Sequence, residues 1–165
     1  VGCVWRSGEG NFTDSGEVAG YATVMANAQK TSAKWGDRFV SKGWCLAITS
    51  TSWQGIVAGG YPTAASVWQR NKDKLHKDTT PKKGAIMFSS GSGPAGHVFI
   101  YLENNKILND GYITDANAVF GHGKGQWGND YIGWIDPNDL GWKSVPISDS
   151  VLNNYANRFS SHSGA

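Results

Sequence analysis

The sequence predicts an α+β domain with its helices first and an antiparallel sheet after them. Two patterns carry that expectation. Up to about residue 70, apolar residues recur at three- and four-residue intervals; after Lys83 the chain breaks into short β-prone runs divided by Gly, Asn and Pro. Helices followed by strands, rather than strands alternating with helices, separate an α+β design from a parallel α/β one. Size is the third observation: 165 residues bury one sizeable core, so a single domain over 1–165 is expected.

Taken in order, residues 1–16 are rich in Gly and Ser and read as an N-terminal arm or loop, in which Asn11, Phe12 and Thr13 fit a glycosylation sequon. From Glu17, the positions Val18, Tyr21, Ala22, Met25 and Ala28 form one helical face, with Ser15 as its cap. A second helix is expected from Cys45 to about Ala58, turning Cys45, Ile48, Thr49, Ser52 and Trp53 to one side and ending at the Gly59–Gly60 pair. Pro62 opens a third, with Ala64, Val67 and Trp68 inward. The basic run "RNKDKLHKD" reads as a solvated face. The expected strands are "GAIMFSS", "GHVFIYLE", "NKILND", "ANAVFG" and "DYIGWID". Asn104–Asn105 is a tight-turn pair, which makes 97–103 and 106–110 a hairpin, and 148–165 is a C-terminal tail or helix.

Composition narrows function by exclusion. A net charge of +2 is too weak to argue for nucleic acid, though it suits an acidic polymer, and no apolar run approaches the ~18 residues of a membrane span. Glycine (22 residues) and tryptophan (8) are both high, a bias common in secreted proteins that handle polysaccharides or cell walls. The start "VGCVWRSGEG", with neither an initiator Met nor a signal segment, reads as a mature product or excised module. A monomer is expected, since no heptad pattern appears.

Cys45 stands where a helix begins, and there the unsatisfied amides and the positive end of the helix dipole favour the thiolate. By position alone a small buried apolar residue is the default reading, and a disulfide with Cys3 is a further alternative. A nucleophile needs a base. His76, His122 and His162 lie in charged, Gly-rich or terminal stretches, whereas His97 leads an apolar strand, whose edge would hold an imidazole rigidly. Asn109 and Asp110 lie across the hairpin from it, and either can orient the ring. The histidines are too scattered for a zinc spacing, "GHGKGQWG" lacks the context of a phosphate loop, and no metal or cofactor is expected. Tryptophans 44, 53, 68, 127 and 134 read as core by default; Trp44, beside Cys45, is the first candidate for a cleft wall, with Trp127 a further candidate for substrate binding.

The ordered set "GWC", "PKKGAIMFSS" and "GHVFIYLENNKILND" resembles the NlpC/P60 and CHAP group of cysteine peptidases and amidases, across about residues 43 to 135. The resemblance implies a papain-like fold and a triad of Cys45, His97 and a polar third residue. In that group the third residue commonly lies about twelve positions after the histidine, which here is Asn109, with Asp110 the competitor. It implies a peptidoglycan substrate cut at a peptide or amide bond, no cofactor, and a secreted, extracellular or phage-delivered protein. The chain departs from the group in reading "WCLA" around the cysteine and in carrying Ala85 where an acidic residue is common.

Overall fold

A computed structural model of the chain describes residues 12–36, 44–56, 59–91, 93–116 and 131–158. Within them run α1 (Tyr21–Trp35), α2 (Cys45–Gln54), α3 (Ala64–Arg70), β1 (Ile86–Ser89), β2 (His97–Tyr101), β3 (Lys106–Asn109), β4 (Tyr112–Asp115), β5 (Tyr131–Ile135) and α4 (Asp149–Arg158), with 3-10 turns at Lys72–Lys74 and Pro137–Leu140. The strands form one antiparallel sheet in the order β4-β3-β2-β1-β5. The architecture is therefore α+β, with three helices ahead of the sheet in sequence. Helix α2 packs chiefly on β2, and α1 packs on α2 and β4. No described helix is long and apolar enough to cross a membrane.

Helix α1 begins later than its apolar spacing suggested. Its N-cap is Gly20 in the left-handed region (φ 87°), with no side-chain cap, while the Ser15 amide is occupied by the Pro81 carbonyl at 3.1 Å. Ser15 thus belongs to the extended arm and caps nothing. The inward face is Tyr21, Val24, Asn27, Ala28, Thr31 and Trp35; Ala22 is exposed and Met25 only partly buried. Asn27 is polar at the centre of that face because its groups are used there. Its Nδ2 donates to the carbonyls of Ser52 and Val145, both at 2.8 Å, and its Oδ1 accepts from the Ile147 amide at 2.8 Å. One buried side chain joins α1, α2 and the C-terminal stretch, so each buried polar atom keeps a partner.

Helix α2 ends at Gln54, short of Ala58, because Gly55 supplies the left-handed cap (φ 72°) and its N–H bonds Thr51 O at 2.7 Å. Helix α3 opens with a capping box between Thr63 and Ser66. In the arm, Phe12 is 7% exposed and packs on the rings of Tyr101 and Tyr131, so the described end of the arm is part of the core.

The β2–β3 hairpin turns on Asn104 and Asn105, both left-handed (φ 59° and 58°), and the Lys106 amide bonds Glu103 O at 3.2 Å. Asparagine tolerates that region better than most residues, and two such residues in succession match the strand twist. Strand β4, in "GYITD", lies between two expected runs. It is a four-residue edge strand with no fully buried position, so it carries little of the apolar alternation that marks a strand. Apart from Ala116, the expected "ANAVFG" strand lies outside the described residues. The basic run after α3 is mostly exposed, yet His76 stacks on Trp134 at 4.1 Å and Asp78 accepts from Trp134 Nε1 at 2.9 Å, so the run also clamps β5.

Candidate active site

The entry to β2 is fixed by the glycine before it. Gly96 is left-handed (φ 71°), and a Cβ there would stand 2.4 Å from Trp68 Cη2. Lacking one, Gly96 lets the Trp68 ring seat against the strand entry, where it also meets Phe88 edge-on at 5.3 Å. Packing from α3 thus sets where His97, the next residue, emerges.

Along β2 the pleat turns His97, Phe99 and Tyr101 to one face, with the rings of His97 and Phe99 5.7 Å apart. On β3, Leu108 pairs with Ile100, which brings Asn109 level with the His97 side of the hairpin. The outcome is a contact of 2.6 Å between His97 Nε2 and Asn109 Oδ1. An amide oxygen only accepts, so Nε2 carries the proton and donates it. That leaves Nδ1 without the Asn109 contact, and the Cys45 side chain lies close enough to act on the imidazole through hydrogen bonding and charge. Cys45 is a free, half-buried thiol and the first residue of α2. The helix is held over the sheet at its middle and its C-terminal end: Thr49 Oγ1 donates to Val98 O at 3.4 Å, and Trp53 Nε1 donates to Gly84 O at 2.7 Å.

The electrostatics favour the imidazolium. Burial opposes protonation of His97 most strongly, but it is outweighed by the hydrogen bond and charge of Cys45, the charge of Asp110 and the Asn109 hydrogen bond; together they push His97 up to about 9 from its usual 6.5. No side chain caps α2, and among the described residues the first amide bonded back along the helix is that of Ile48, to Trp44 O at 3.0 Å. The amides of Cys45 and Leu46 therefore have no helical acceptor and point out of its N-terminus, beside the sulfur.

Of the residues expected at the site, Cys45, His97 and Asn109 come together. Asp110 follows in the β3–β4 turn with left-handed backbone (φ 55°); it acts on His97 through charge, whereas Asn109 bonds the ring directly. Trp44 walls a cleft of about 160 Å³ with Leu46, Ala47, Ser50, Tyr61 and Trp142. At 3.6 residues per turn, Ala47 and Ser50 lie on the side of α2 roughly opposite Cys45, so this cleft backs onto the helix and the thiol is not in its wall. Of the tryptophans, Trp53 and Trp134 are core, while Trp127, Cys3, His122, His162 and Asn11 lie outside the described residues. Sequence reasoning passed over Ser89, which pairs directly with His97; only the strand register identifies it.

Compared with protein-family models, curated proteins and solved structures, the chain has no match in any of the three.

Proposed function

We propose that the chain is a thiol hydrolase of bacterial peptidoglycan, papain-like in arrangement and of the NlpC/P60 and CHAP type, cutting a peptide or amide bond. One observation carries the proposal: a free cysteine at a helix start lies close enough to bear on the histidine that opens β2, and that histidine's Nε2 meets an asparagine at 2.6 Å. These are the three parts a thiol acyl-transfer reaction requires, namely a nucleophile, its proton acceptor and the group that orients that acceptor.

In this reading the Cys45 proton passes to His97, and the sulfur attacks the substrate carbonyl. The oxyanion is met by the N-terminal amides of α2, which need no reorganisation to receive it. His97 then returns its proton to the leaving amine, and water admitted to the same carbonyl, activated by the neutral imidazole, releases the acyl group from sulfur. Asn109 holds the ring in one tautomer and one orientation throughout. Peptidoglycan as substrate follows from the motif resemblance and the Gly- and Trp-rich composition, and a secreted, extracellular or phage-delivered monomer goes with it.

The test is digestion of purified peptidoglycan and defined muropeptides, with products read by mass spectrometry. Cleavage at a stem-peptide bond identifies an endopeptidase, and cleavage between sugar and peptide identifies an amidase. Binding to the wall with no product from any chemotype would instead point to a non-catalytic wall-binding module.

A further inference from the structure

Ser89 closes β1 directly opposite His97 and is fully buried, at 0% exposure. Paired residues of an antiparallel ladder point to the same face with Cβ atoms about 5 Å apart, so the hydroxyl lies beside the imidazole on the side that α2 covers. Among the described residues its Oγ has no hydrogen-bond partner. A buried hydroxyl without one destabilises a fold, and such groups concentrate where function retains them. The ladder is also irregular here. Between Phe88 and Ser89 the pairing with β5 slips, from Gly133 to Tyr131, and a bulge of this kind re-aims side chains beside active sites.

We propose that Ser89 is a positioning residue whose buried hydroxyl presents its oxygen to the His97 ring and favours the imidazolium. Nε2 is held by Asn109 and Ser89 Oγ bonds neither ring nitrogen, so the hydroxyl faces a carbon edge or face of the ring. An oxygen lone pair so placed stabilises the cation and does little for the neutral ring. The groups that bear on His97 are Cys45 from α2, Asn109 at the end of β3 and Asp110 from the β3–β4 turn, with Ser89 paired opposite it on β1. Tyr131, across from Ser89 on β5, gives its hydroxyl hydrogen to Asp78 O at 2.6 Å.

The inference rests on the thiol-hydrolase reading for its purpose, but its test needs no turnover. The His97 ring is titrated by NMR in the wild type, Ser89→Ala and Ser89→Thr, and melting temperatures are recorded alongside. The expected result is that Ser89→Ala lowers the His97 midpoint by about half a unit to one unit, with an unchanged or higher melting temperature, and that Ser89→Thr keeps the midpoint. A Ser89→Ala protein whose midpoint does not move would overturn the proposal; so would one that loses stability or fails to fold, since the hydroxyl would then be structural. Intact muropeptides from a wild type whose midpoint responds as expected would sink the hydrolase reading and leave the role of Ser89 standing. Cleavage with an unresponsive midpoint would do the reverse.

Discussion

The two ends of β2 carry polar groups on the same face, and they are used in opposite ways. At the C-terminal end, Tyr101 donates its hydroxyl to Asp14 Oδ1 at 2.5 Å, and nearby Tyr21 donates to Glu103 Oε1 at 2.9 Å. Burial first, and then the carboxylate partner, push both phenols well above their usual range, so they stay neutral at any physiological pH. These are locks that tie the arm and α1 to the sheet. At the N-terminal end, His97 is surrounded by a thiol, an amide, a carboxylate charge and an uncommitted hydroxyl, and its proton is exchangeable within an accessible range. One end of the strand thus carries a phenol fixed in its neutral form, and the other a histidine whose charge can change within an accessible range.

The comparison can be broken from the reactive end first. His97→Ala removes the proton acceptor and is expected to lower kcat/KM by about 10²- to 10⁴-fold, read on a muropeptide substrate, with the fold kept by circular dichroism. Asn109→Ala frees the ring and should cost roughly tenfold to a hundredfold. In the wild type, activity should decline as pH rises through about 9, where His97 loses its proton, and in Asn109→Ala that limb should move to lower pH. An unmoved limb would mean that the amide does not support the imidazolium.

Stability gives the same sign. The folded His97 holds its proton more tightly than the unfolded chain does, so its contribution is fully present below the ordinary histidine value of 6.5 and is lost as pH rises through about 9. Melting temperatures between those limits should fall with pH in the wild type, and less steeply in His97→Ala. Gly96→Ala should cost about 2 kcal/mol, because the new methyl meets Trp68 in a left-handed backbone. It should lower activity as well, since His97 follows directly. At the quiet end, Tyr101→Phe should cost about 1 kcal/mol and leave kcat/KM unchanged, which chemical denaturation and kinetics on one preparation will show.

Much of the candidate site was legible in the sequence because its parts lie on strong local signals. Cys45 opens an apolar-periodic segment, His97 leads a strand, and the Asn104–Asn105 turn folds Asn109 back beside it. The choice between Asn109 and Asp110 was not legible. The two differ by one residue, and only the pairing register and the left-handed turn at Asp110 put the Asn109 amide on the imidazole. Ser89 escaped for a related reason: strand pairing, not sequence distance, makes it a neighbour of His97. The start of α1 was misread because a glycine cap has no side chain to advertise it, and β4 was missed because an edge strand of four residues needs little apolar alternation. Trp44 shows the limit of adjacency, for the residue before the thiol walls a cleft on the other side of the helix.

The most direct test of the central claim compares wild type with Cys45→Ala on purified peptidoglycan, with soluble products identified by mass spectrometry. Wild type should release cleaved muropeptides, and a folded Cys45→Ala none above background. Equal release by both proteins would contradict the claim.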